Sequence, residues 1–405
     1  MPWHHSPTVL RLLALLALSE LVRTGLFFAY LPLEGAQIGL TAAGVGLIVS
    51  LHYLADGLAK GPLGVVTERL GLGWMALLGA LGGTVALLAL PRFPSVYLGW
   101  LMSVAWGFTL APLWPGVMTA VSTLAREGKQ SRALSWASVA AATGIALGAL
   151  GMSLVMQRAP HAGYALLLGV QVVVLALALS LVRLKLPRSR GSARAYPWRR
   201  IAALIPAAFA QTLAPGLLVT VFNPYLRLLG LSITSLLPPA ILGVALGLAA
   251  LPLAGRLADK VHPRAALLPG LLLLGVTFVL LGLPGVVGRI YLIATVGGCA
   301  YALFLAGWNG LVARTLPQEH RAAAWGAIMT VEALGQAVGP ALGGFMWERY
   351  GSGGPFLLGA GVFVLVQAYY LLPWHSAQRR LITTSTEVEG AFPSTSGDRR
   401  EWEQR

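Results

Sequence analysis

Charged residues are scarce in this chain. Of its 405 residues, 11% are Asp, Glu, Lys or Arg and 57% are hydrophobic, and the mean hydropathy is +0.74. About a quarter of the residues in a soluble globular domain are charged, so the composition excludes that class. Cysteine is almost missing as well. Since Cys299 is the only cysteine, no disulfide forms within the chain, and cysteine usage indicates no redox compartment.

Long apolar runs take the place of charge. Each covers about 20 residues, which as a helix cross a hydrocarbon core of about 30 Å. We therefore predict an all-α membrane protein whose 12 transmembrane helices form two sets of six. The predicted spans are 9–31, 44–66, 73–90, 96–122, 133–157, 162–184, 200–226, 233–254, 265–284, 289–313, 321–346 and 354–374. The first lacks a small-residue cleavage site and carries Glu20 and Arg23, so we expect it to be retained and not removed as a signal peptide.

An internal repeat relates the two sets of spans. A shift of 191 residues places Gly64-Val65-Val66-Thr67-Glu68-Arg69 on Gly255-Arg256-Leu257-Ala258-Asp259-Lys260. The same shift places Gly144-x-x-x-Gly148 on Gly335-x-x-x-Gly339. A duplication of this kind in an apolar chain is typical of secondary transporters.

The repeat and the composition together predict four regions. They are an N-terminal six-helix bundle over 1–186, a basic cytoplasmic linker over 187–199, a C-terminal six-helix bundle over 200–375, and a disordered cytoplasmic tail over 376–405.

The net charge of +15 is distributed as in a membrane protein and does not indicate a nucleic-acid partner. With a cytoplasmic N-terminus, the external loops hold only five basic residues: Arg92, Arg158, Arg227, Arg289 and Arg349. Most other basic residues then lie in cytoplasmic loops and tails, where they contact anionic membrane lipids. We predict a multi-pass protein of the cytoplasmic (inner) cell membrane, with both termini cytoplasmic, acting as a monomer.

Both copies of the first motif supply a glycine, an acid and a base: Gly64, Glu68 and Arg69 in one half, and Gly255, Asp259 and Lys260 in the other. We place them in the cytoplasmic loop after the second span of each half and interpret them as a conformational clasp. The glycine permits close helix approach, the acid accepts hydrogen bonds at a helix N-terminus, and the base pairs with another helix. Both copies resemble the signature loop of the major facilitator superfamily, although the first has Glu68 in place of the usual aspartate.

The second motif continues as Gly335-x-x-x-Gly339-Pro340-x-x-Gly343-Gly344 in the eleventh predicted span. It is similar to a glycine-proline motif that proton-driven exporters of the superfamily carry in their fifth span. Its counterpart here, Gly144-x-x-x-Gly148, has no proline. Two interpretations stay open, an exporter signature and close helix packing.

Ionisable side chains within the predicted spans are candidate functional residues, because each buried charge costs a few kcal/mol. Glu20 and Arg23 share one helix face at spacing i, i+3, and His52, Asp56 and Lys60 follow at i, i+4, i+8. The structural alternatives are an ion pair that joins the first two spans, a lysine that snorkels towards the membrane surface, and a histidine that only packs.

The second half is more apolar, and Glu332 is the one acidic residue in its predicted spans. One charged wall and one apolar wall fit an amphiphile better than a small hydrophilic metabolite. Trp114 and Trp136 belong to the charged half. Indole rings stack on the apolar faces of sugars, and the alternative is that they anchor the protein at the membrane interface.

These residues resemble the lipoteichoic-acid glycolipid flippase family of Gram-positive bacteria. The matching segments follow the same order: Glu20-x-x-Arg23, Ser50-x-His52-x-x-x-Asp56, Ala111-Pro112-x-Trp114, Ser135-Trp136, Trp308-Asn309-x-x-x-Ala313-Arg314, and Trp325-Gly326 through Gly344. The resemblance implies a major facilitator fold, proton antiport, and a cavity that holds the headgroup in one half and the acyl chains in the other. Carried over by position, it implies that the headgroup is bound by Glu20, Arg23, Asp56, Trp114 and Trp136.

Two residues depart from the family's pattern, Lys60 beside Asp56 and Glu332 in the apolar half. The proton carrier is therefore open among Glu20, Asp56 and Glu332.

The favoured function is proton-coupled flipping of a glycolipid or related amphiphile by alternating access, and the alternative is proton-coupled efflux of drugs or lipophilic cations. No enzyme activity, metal site or cofactor is predicted, because the predicted spans contain no nucleophile–base set.

Overall fold

The computed structural model describes residues 6–89, 95–125, 130–182, 201–315 and 321–372. Within these ranges the chain forms twelve long helical segments and no β-strand. In chain order they are α1 (Pro7–Ile38), α2 (Ala42–Leu70), α3 (Leu72–Ala89), α4 (Val96–Leu124), α5 (130–158), α6 (Pro160–Val182), α7 (205–228), α8 (Ile233–Lys260), α9 (Pro263–Gly282), α10 (Val286–Thr315), α11 (Arg321–Tyr350) and α12 (Gly354–Leu371).

Almost all of these helical segments are long enough to cross a membrane. In the described residues, eleven helices are long and apolar enough to cross a membrane, and α11 is a further helix of 30 residues. The prediction of an all-α protein with twelve spans is confirmed. Several helices extend beyond the predicted limits, since a helix continues until a residue stops it. Gly39 and Gly71, with φ of 76° and 90°, end α1 and α2 in a conformation that favours glycine.

Irregular turns interrupt four of the helices. A π-helical turn over Gly25–Tyr30 in α1 packs against another over Leu147–Gly151 in α5. α4 is broken between Leu110 and Leu113, and α7 between Val219 and Phe222. Such breaks are tolerated inside a membrane protein where neighbouring helices satisfy the freed backbone groups.

Each half of the chain has its own core. One cluster of buried apolar side chains draws on residues between Val9 and Leu181, and another on residues between Ile201 and Tyr370. The bundle limits of 1–186 and 200–375 remain predictions. The linker predicted over 187–199 and the tail predicted over 376–405 lie outside the described residues.

The repeated glycine motif performs the same packing in both halves. A Cβ atom at Gly144 would lie 2.0 Å from the backbone oxygen of Ala17, so α5 contacts α1 backbone to backbone. In the second half, a Cβ atom at Gly335 would lie 2.5 Å from the backbone oxygen of Phe209, which brings α11 equally close to α7. The close-packing interpretation of the motif is therefore supported directly by these contacts.

A seam between the halves runs along α2 and α11. A Cβ atom at Gly46 would lie 2.2 Å from the backbone oxygen of Pro340, and one at Gly344 would lie 2.4 Å from that of Ala42. The backbone N–H of Ala341 donates to the Ser50 hydroxyl oxygen at 2.8 Å. Because α11 also contacts α7, it connects the second bundle directly to the first. We call this line of contacts the α2–α11 seam.

We expect Gly144→Ala to destabilise the protein by about 1–3 kcal/mol, the usual cost of overpacking. The new methyl group would collide with a backbone oxygen of α1, which cannot rotate away. Thermal unfolding in detergent should show a lower Tm for Gly144→Ala than for Gly169→Ala, because a Cβ atom at Gly169 meets no atom within 4 Å. Equal Tm values for the two variants would contradict the close approach of α1 and α5.

Candidate functional site

A buried ion pair lies within α1. Arg23 donates a hydrogen bond from its guanidinium to the Glu20 carboxylate one turn earlier, and the two residues are only 9% and 3% exposed. The spacing of three residues places both side chains on one face, as predicted. The Nε atom of Arg23 is buried and has no hydrogen-bond partner among the described residues, so this guanidinium retains an unused donor.

A second ion pair on α2 lies beside the first. Lys60 Nζ is 2.8 Å from a carboxylate oxygen of Asp56, which is buried, whereas the Lys60 side chain is 37% exposed. Both charges are close enough to Glu20 to act on it electrostatically. The structure therefore brings together Glu20, Arg23, Asp56 and Lys60, which we call the charged cluster.

Tyr53 connects the two helices of the charged cluster. The Arg23 guanidinium carbon lies 5.1 Å from the centroid of the Tyr53 ring, a cation–π distance. Tyr53 and Asp56 are one turn apart on α2 and share one face of that helix. The Tyr53 ring therefore contacts Arg23 from the helix face that also carries the Asp56 carboxylate. Sequence reasoning overlooked this tyrosine. Its position one turn before Asp56, on the stripe that carries the ionisable groups, was the available signal.

His52 is a packing residue in this structure. It is completely buried, and its ring lies 4.7 Å from that of Phe27 and 5.0 Å from that of Trp106, both in edge-on geometry. Its Nδ1 is 3.3 Å from the backbone oxygen of Ser103, to which an N–H at that position donates. These contacts fix α2 against α1 and α4, which supports the packing alternative for this histidine.

The two tryptophans lie apart from the charged cluster. Trp114 is half-buried at the start of the second part of α4, and Trp136 is 43% exposed on α5. In the described part of the chain, no hydrogen bond, ion pair or ring contact joins either one to the charged cluster. Their roles in binding a headgroup stay predictions.

Glu332 forms a separate polar site on α11. Its carboxylate accepts a hydrogen bond of 2.5 Å from the Gln211 amide of α7. Among the described side chains no cation lies within ion-pair distance of it, in contrast to Glu20 and Asp56. Glu332 is thus a partly buried acid that has no paired positive charge within the described ranges.

The clasp motifs lie on helix ends and not in loops as predicted. Asp259 and Lys260 belong to the last turn of α8, and Arg69 belongs to the last turn of α2. Both helices continue past the predicted ends of their spans, to Leu70 and Lys260. A Cβ atom at Gly64 or Gly255 would meet nothing within 4 Å. The three ion pairs found among the described side chains include none of these residues, and the side chain of Glu68 lies outside that part. The backbone oxygen of Asp259 accepts a hydrogen bond of 3.5 Å from Arg314 of α10, and the described side chains of the clasp form no ion pair in this conformation.

A buried asparagine joins the halves at the opposite end of the bundle. The Asn223 amide of α7 donates to the backbone oxygen of Phe28 at 2.7 Å and to the Ser153 hydroxyl at 2.8 Å. Gln157 of α5 donates to its amide oxygen at 3.4 Å. Asn223 is fully buried, so these bonds replace all contact with solvent.

Two further polar side chains make contacts at the same end. Arg227 donates to the backbone oxygen of Leu33 at 3.1 Å and lies 3.7 Å from the Glu34 carboxylate. The carboxylate of Glu348 accepts from the backbone N–H of Ala43 at 2.8 Å, at the start of α2. The halves are therefore held together where α1, α5, α7 and α11 end, and the clasp motifs lie at the other end.

An apolar groove lies between α8 and α10. It has a volume of about 420 Å³, and its lining contains no charged side chain. Small residues form much of its floor, including Gly243, Gly247 and Gly298. Their backbones approach closely, since a Cβ atom at Gly298 would lie 1.9 Å from the backbone oxygen of Gly243. The groove therefore offers a ligand an almost entirely apolar surface.

Comparison with known proteins agrees with this architecture. A family model described as Major Facilitator Superfamily matches residues 12–250 and 241–399. The chain is similar to the proton-coupled antiporter flippase LtaA of Staphylococcus saprophyticus, with 21% identity over 373 residues, 89% of this chain and 92% of the relative. The protein of the same name from Staphylococcus aureus (strain MSSA476) is 20% identical over 372 residues, with 89% and 93% covered.

Solved structures share the fold. The structure of a bacterial homologue of the human lysosomal transporter Spinster, inward-facing and occupied, matches with a TM-score of 0.71 and 15% identity, covering 91% of this chain and 97% of that one. The nucleoside transporter NupG matches with a TM-score of 0.67 and 13% identity, covering 90% and 98%. At these identities the likeness shows the twelve-helix, two-bundle fold alone.

We expect Asn223→Ala to open the end of the bundle that this residue closes. Losing hydrogen bonds of a buried group costs about 1–3 kcal/mol, which shifts the ratio of closed to open molecules by about tenfold. Distances between spin labels on cysteines at Gln37 and Leu228, in a Cys299→Ser background, should become longer and broader. Thr277→Val is the control, because the Thr277 hydroxyl donates to the Leu273 oxygen of its own helix. An unchanged distribution in Asn223→Ala would show that this amide does not hold the halves together.

Proposed function

The chain belongs to the Major Facilitator Superfamily of transporters, and we propose that it moves a glycolipid or related amphiphile across the cell membrane by proton-coupled alternating access. The curated relatives named as proton-coupled antiporter flippases support this substrate class, over most of the chain but at about one-fifth identity. The inner membrane, cytoplasmic termini and a monomeric state are part of the same proposal.

The observation that carries the proposal is the chemical difference between the halves. The N-terminal half buries the charged cluster on α1 and α2, while the groove between α8 and α10 contains no charge. A small hydrophilic solute would leave the apolar surface unused, and a hydrocarbon would make no use of the charged cluster, where Arg23 Nε has no hydrogen-bond partner among the described residues. A molecule with a hydroxyl-rich head and apolar chains fits both surfaces.

The charged cluster contains the groups that a sugar headgroup requires. Arg23 has a free donor at Nε, and the carboxylates of Glu20 and Asp56 accept hydrogen bonds from hydroxyl groups. Lys60 adds further donors at the more exposed edge. Trp114 supplies a ring for stacking if the second part of α4 turns it towards the headgroup.

Proton coupling follows from competition within the charged cluster. An antiporter requires that proton and substrate disfavour each other's binding, which is a reciprocal coupling. A proton on Glu20 would remove the ion-pair partner of Arg23, whereas a headgroup engaged with Arg23 benefits from the charged carboxylate. Glu20 and Asp56 are the proposed carriers, and Glu332 is a third candidate.

Efflux of lipophilic cations is the second candidate function, and Glu332 is the observation that favours it. A partly buried carboxylate that is hydrogen-bonded to a neutral amide can attract a cation into an apolar cavity. Such a substrate needs no arginine.

We expect Glu20→Gln to abolish proton-driven transport while the protein still folds. The amide keeps an oxygen for the Arg23 hydrogen bond but cannot release or take up a proton, and nearby Asp56 continues to balance the arginine. The measurement is the flipping of a fluorescent diglucosyl lipid between the two leaflets of proteoliposomes under an imposed pH gradient. Full activity in Glu20→Gln together with loss in Asp56→Asn would move the proton to Asp56.

A second experiment separates the two candidate functions. For a glycolipid flippase, Arg23→Ala should reduce lipid flipping at least about tenfold, as expected for loss of a charged hydrogen bond worth about 1.5–3 kcal/mol. Trp114→Ala should also reduce flipping, because it removes the ring proposed to stack on the sugar. A soluble diglucoside should compete. For cation efflux, Arg23→Ala should leave ethidium transport intact or improve it, and Glu332→Gln should stop it. The control Trp74→Ala removes a tryptophan that is 52% exposed on α3. Failure of the sugar to compete, with Glu332 essential for ethidium, would refute the glycolipid assignment.

A further inference from the structure

One side chain of the α2–α11 seam touches both the charged cluster and the opposite half. The Tyr53 ring lies 5.1 Å from the Arg23 guanidinium. Tyr53 stands on α2 between Ser50 and Gly57, which contact Ala341 and Ala333 of α11, and this places its hydroxyl beside the Gln336 side chain. The neighbouring seam contacts involve glycine, backbone atoms or a hydroxyl, as at Gly57, where a Cβ atom would lie 3.2 Å from that of Ala333. Tyr53 is therefore in a position to transmit a change at the Arg23 side chain in the N-terminal half to α11 in the C-terminal half.

Gln336 occupies a weakened turn of α11. Pro340 follows it by four residues, and proline has no N–H, so the carbonyl of Gln336 lacks its helical donor. The next backbone donor, that of Ala341, is 2.8 Å from the Ser50 hydroxyl of α2. A helix bends at such a position at little cost. A change in the contacts of Gln336 thus acts on the part of α11 that bends most easily.

The polar contacts continue beyond Gln336 into the second bundle. Glu332 is one turn earlier on α11, and its carboxylate binds Gln211 of α7. A chain of contacts hence runs from Glu20 through Arg23, Tyr53 and α11 to α7. The other charged or titratable groups that act on the Glu20–Arg23 pair are Asp56, Lys60 and His52, all on α2.

We propose that Tyr53 is a positioning residue that couples the Glu20–Arg23 pair to the bending point of α11, so that loss of the ion pair changes the packing of the halves. This inference rests on the proposed proton-coupled transport. Protonation of Glu20 or arrival of a headgroup redirects Arg23, and the tyrosine ring follows the cation it covers. Its hydroxyl then releases Gln336, and the α2–α11 seam loosens on that side.

Conservative variants separate the two contacts of Tyr53. Tyr53→Phe keeps the ring over Arg23 and removes only the hydroxyl, and Gln336→Leu removes the partner on α11. Tyr97→Phe is the matched control, because Tyr97 is 73% exposed and lies on α4, away from the seam. The readout is the distance between spin labels at Leu70, the last residue of α2, and Val261, the residue after α8. It is measured from acidic to alkaline pH in a Cys299→Ser background. Binding of a soluble diglucoside is measured in parallel.

In the wild type and in Tyr97→Phe we expect the ratio of short to long distances to change with pH. In Tyr53→Phe and Gln336→Leu that change should shrink about tenfold, as for loss of one buried hydrogen bond. Diglucoside affinity should stay within about twofold, since the charged cluster is intact. The double variant should be no worse than either single one, because both remove the same contact.

Three results would overturn the inference. They are a wild-type pH response in Tyr53→Phe, additive effects in the double variant, and no pH-dependent distance in the wild type. If the wild type shows the distance change, Tyr53→Phe loses it, and no glycolipid is flipped, then the coupling role stands and the substrate assignment fails. The two proposals are thereby tested separately.

Discussion

Close backbone contact between helices is the constraint on which this architecture depends. In a bilayer the lipid is as apolar as leucine, so burial of hydrocarbon does not hold helices together, and packing requires small residues. Gly144 and Gly335 bring α5 onto α1 and α11 onto α7. Gly46 and Gly344 then join α11 to α2 across the halves. These contacts are between rigid backbones, which suits the proposed alternating access, in which the halves rock against each other as units.

Burying the charged cluster among closely packed helices costs free energy, and pairing of the charges within each helix reduces that cost. Ion pairs within one helix turn, at Glu20–Arg23 and Asp56–Lys60, neutralise charge without help from the other half. Tyr53 adds an aromatic face over the arginine. The cluster can therefore persist while the halves move, and its exposed edge at Lys60 leaves a route for solvent. A rigid network shared by both halves would instead have to break in every cycle.

The two ends of the bundle use different chemistry. Asn223, Arg227 and Glu348 fasten one end with hydrogen bonds to backbone oxygens and a helix N-terminus, while the clasp residues described at the other end form no ion pairs. Hydrogen bonds across the interface are specific but individually modest, about 0.5–1.5 kcal/mol net. A few such hydrogen bonds are enough to favour one conformation. They can break when contacts form at the other end of the bundle.

Periodicity and charge scarcity were enough to predict twelve helices and the shared helix face of Glu20 and Arg23, because these depend on spacing within one helix. The i, i+4 spacing of Asp56 and Lys60 was noted, but their ion pair was not predicted. The clasp motifs were placed in loops, although α2 and α8 continue through them, since helix ends depend on local stops that apolar runs do not reveal. Asn223 and Gln336 are amides within apolar spans, and the pattern along the chain indicates no partner for either. Their partners, Phe28, Ser153 and Tyr53, lie on other helices, and so only the tertiary structure decided them: contacts between helices follow from how backbones pack, which the pattern along one chain does not contain.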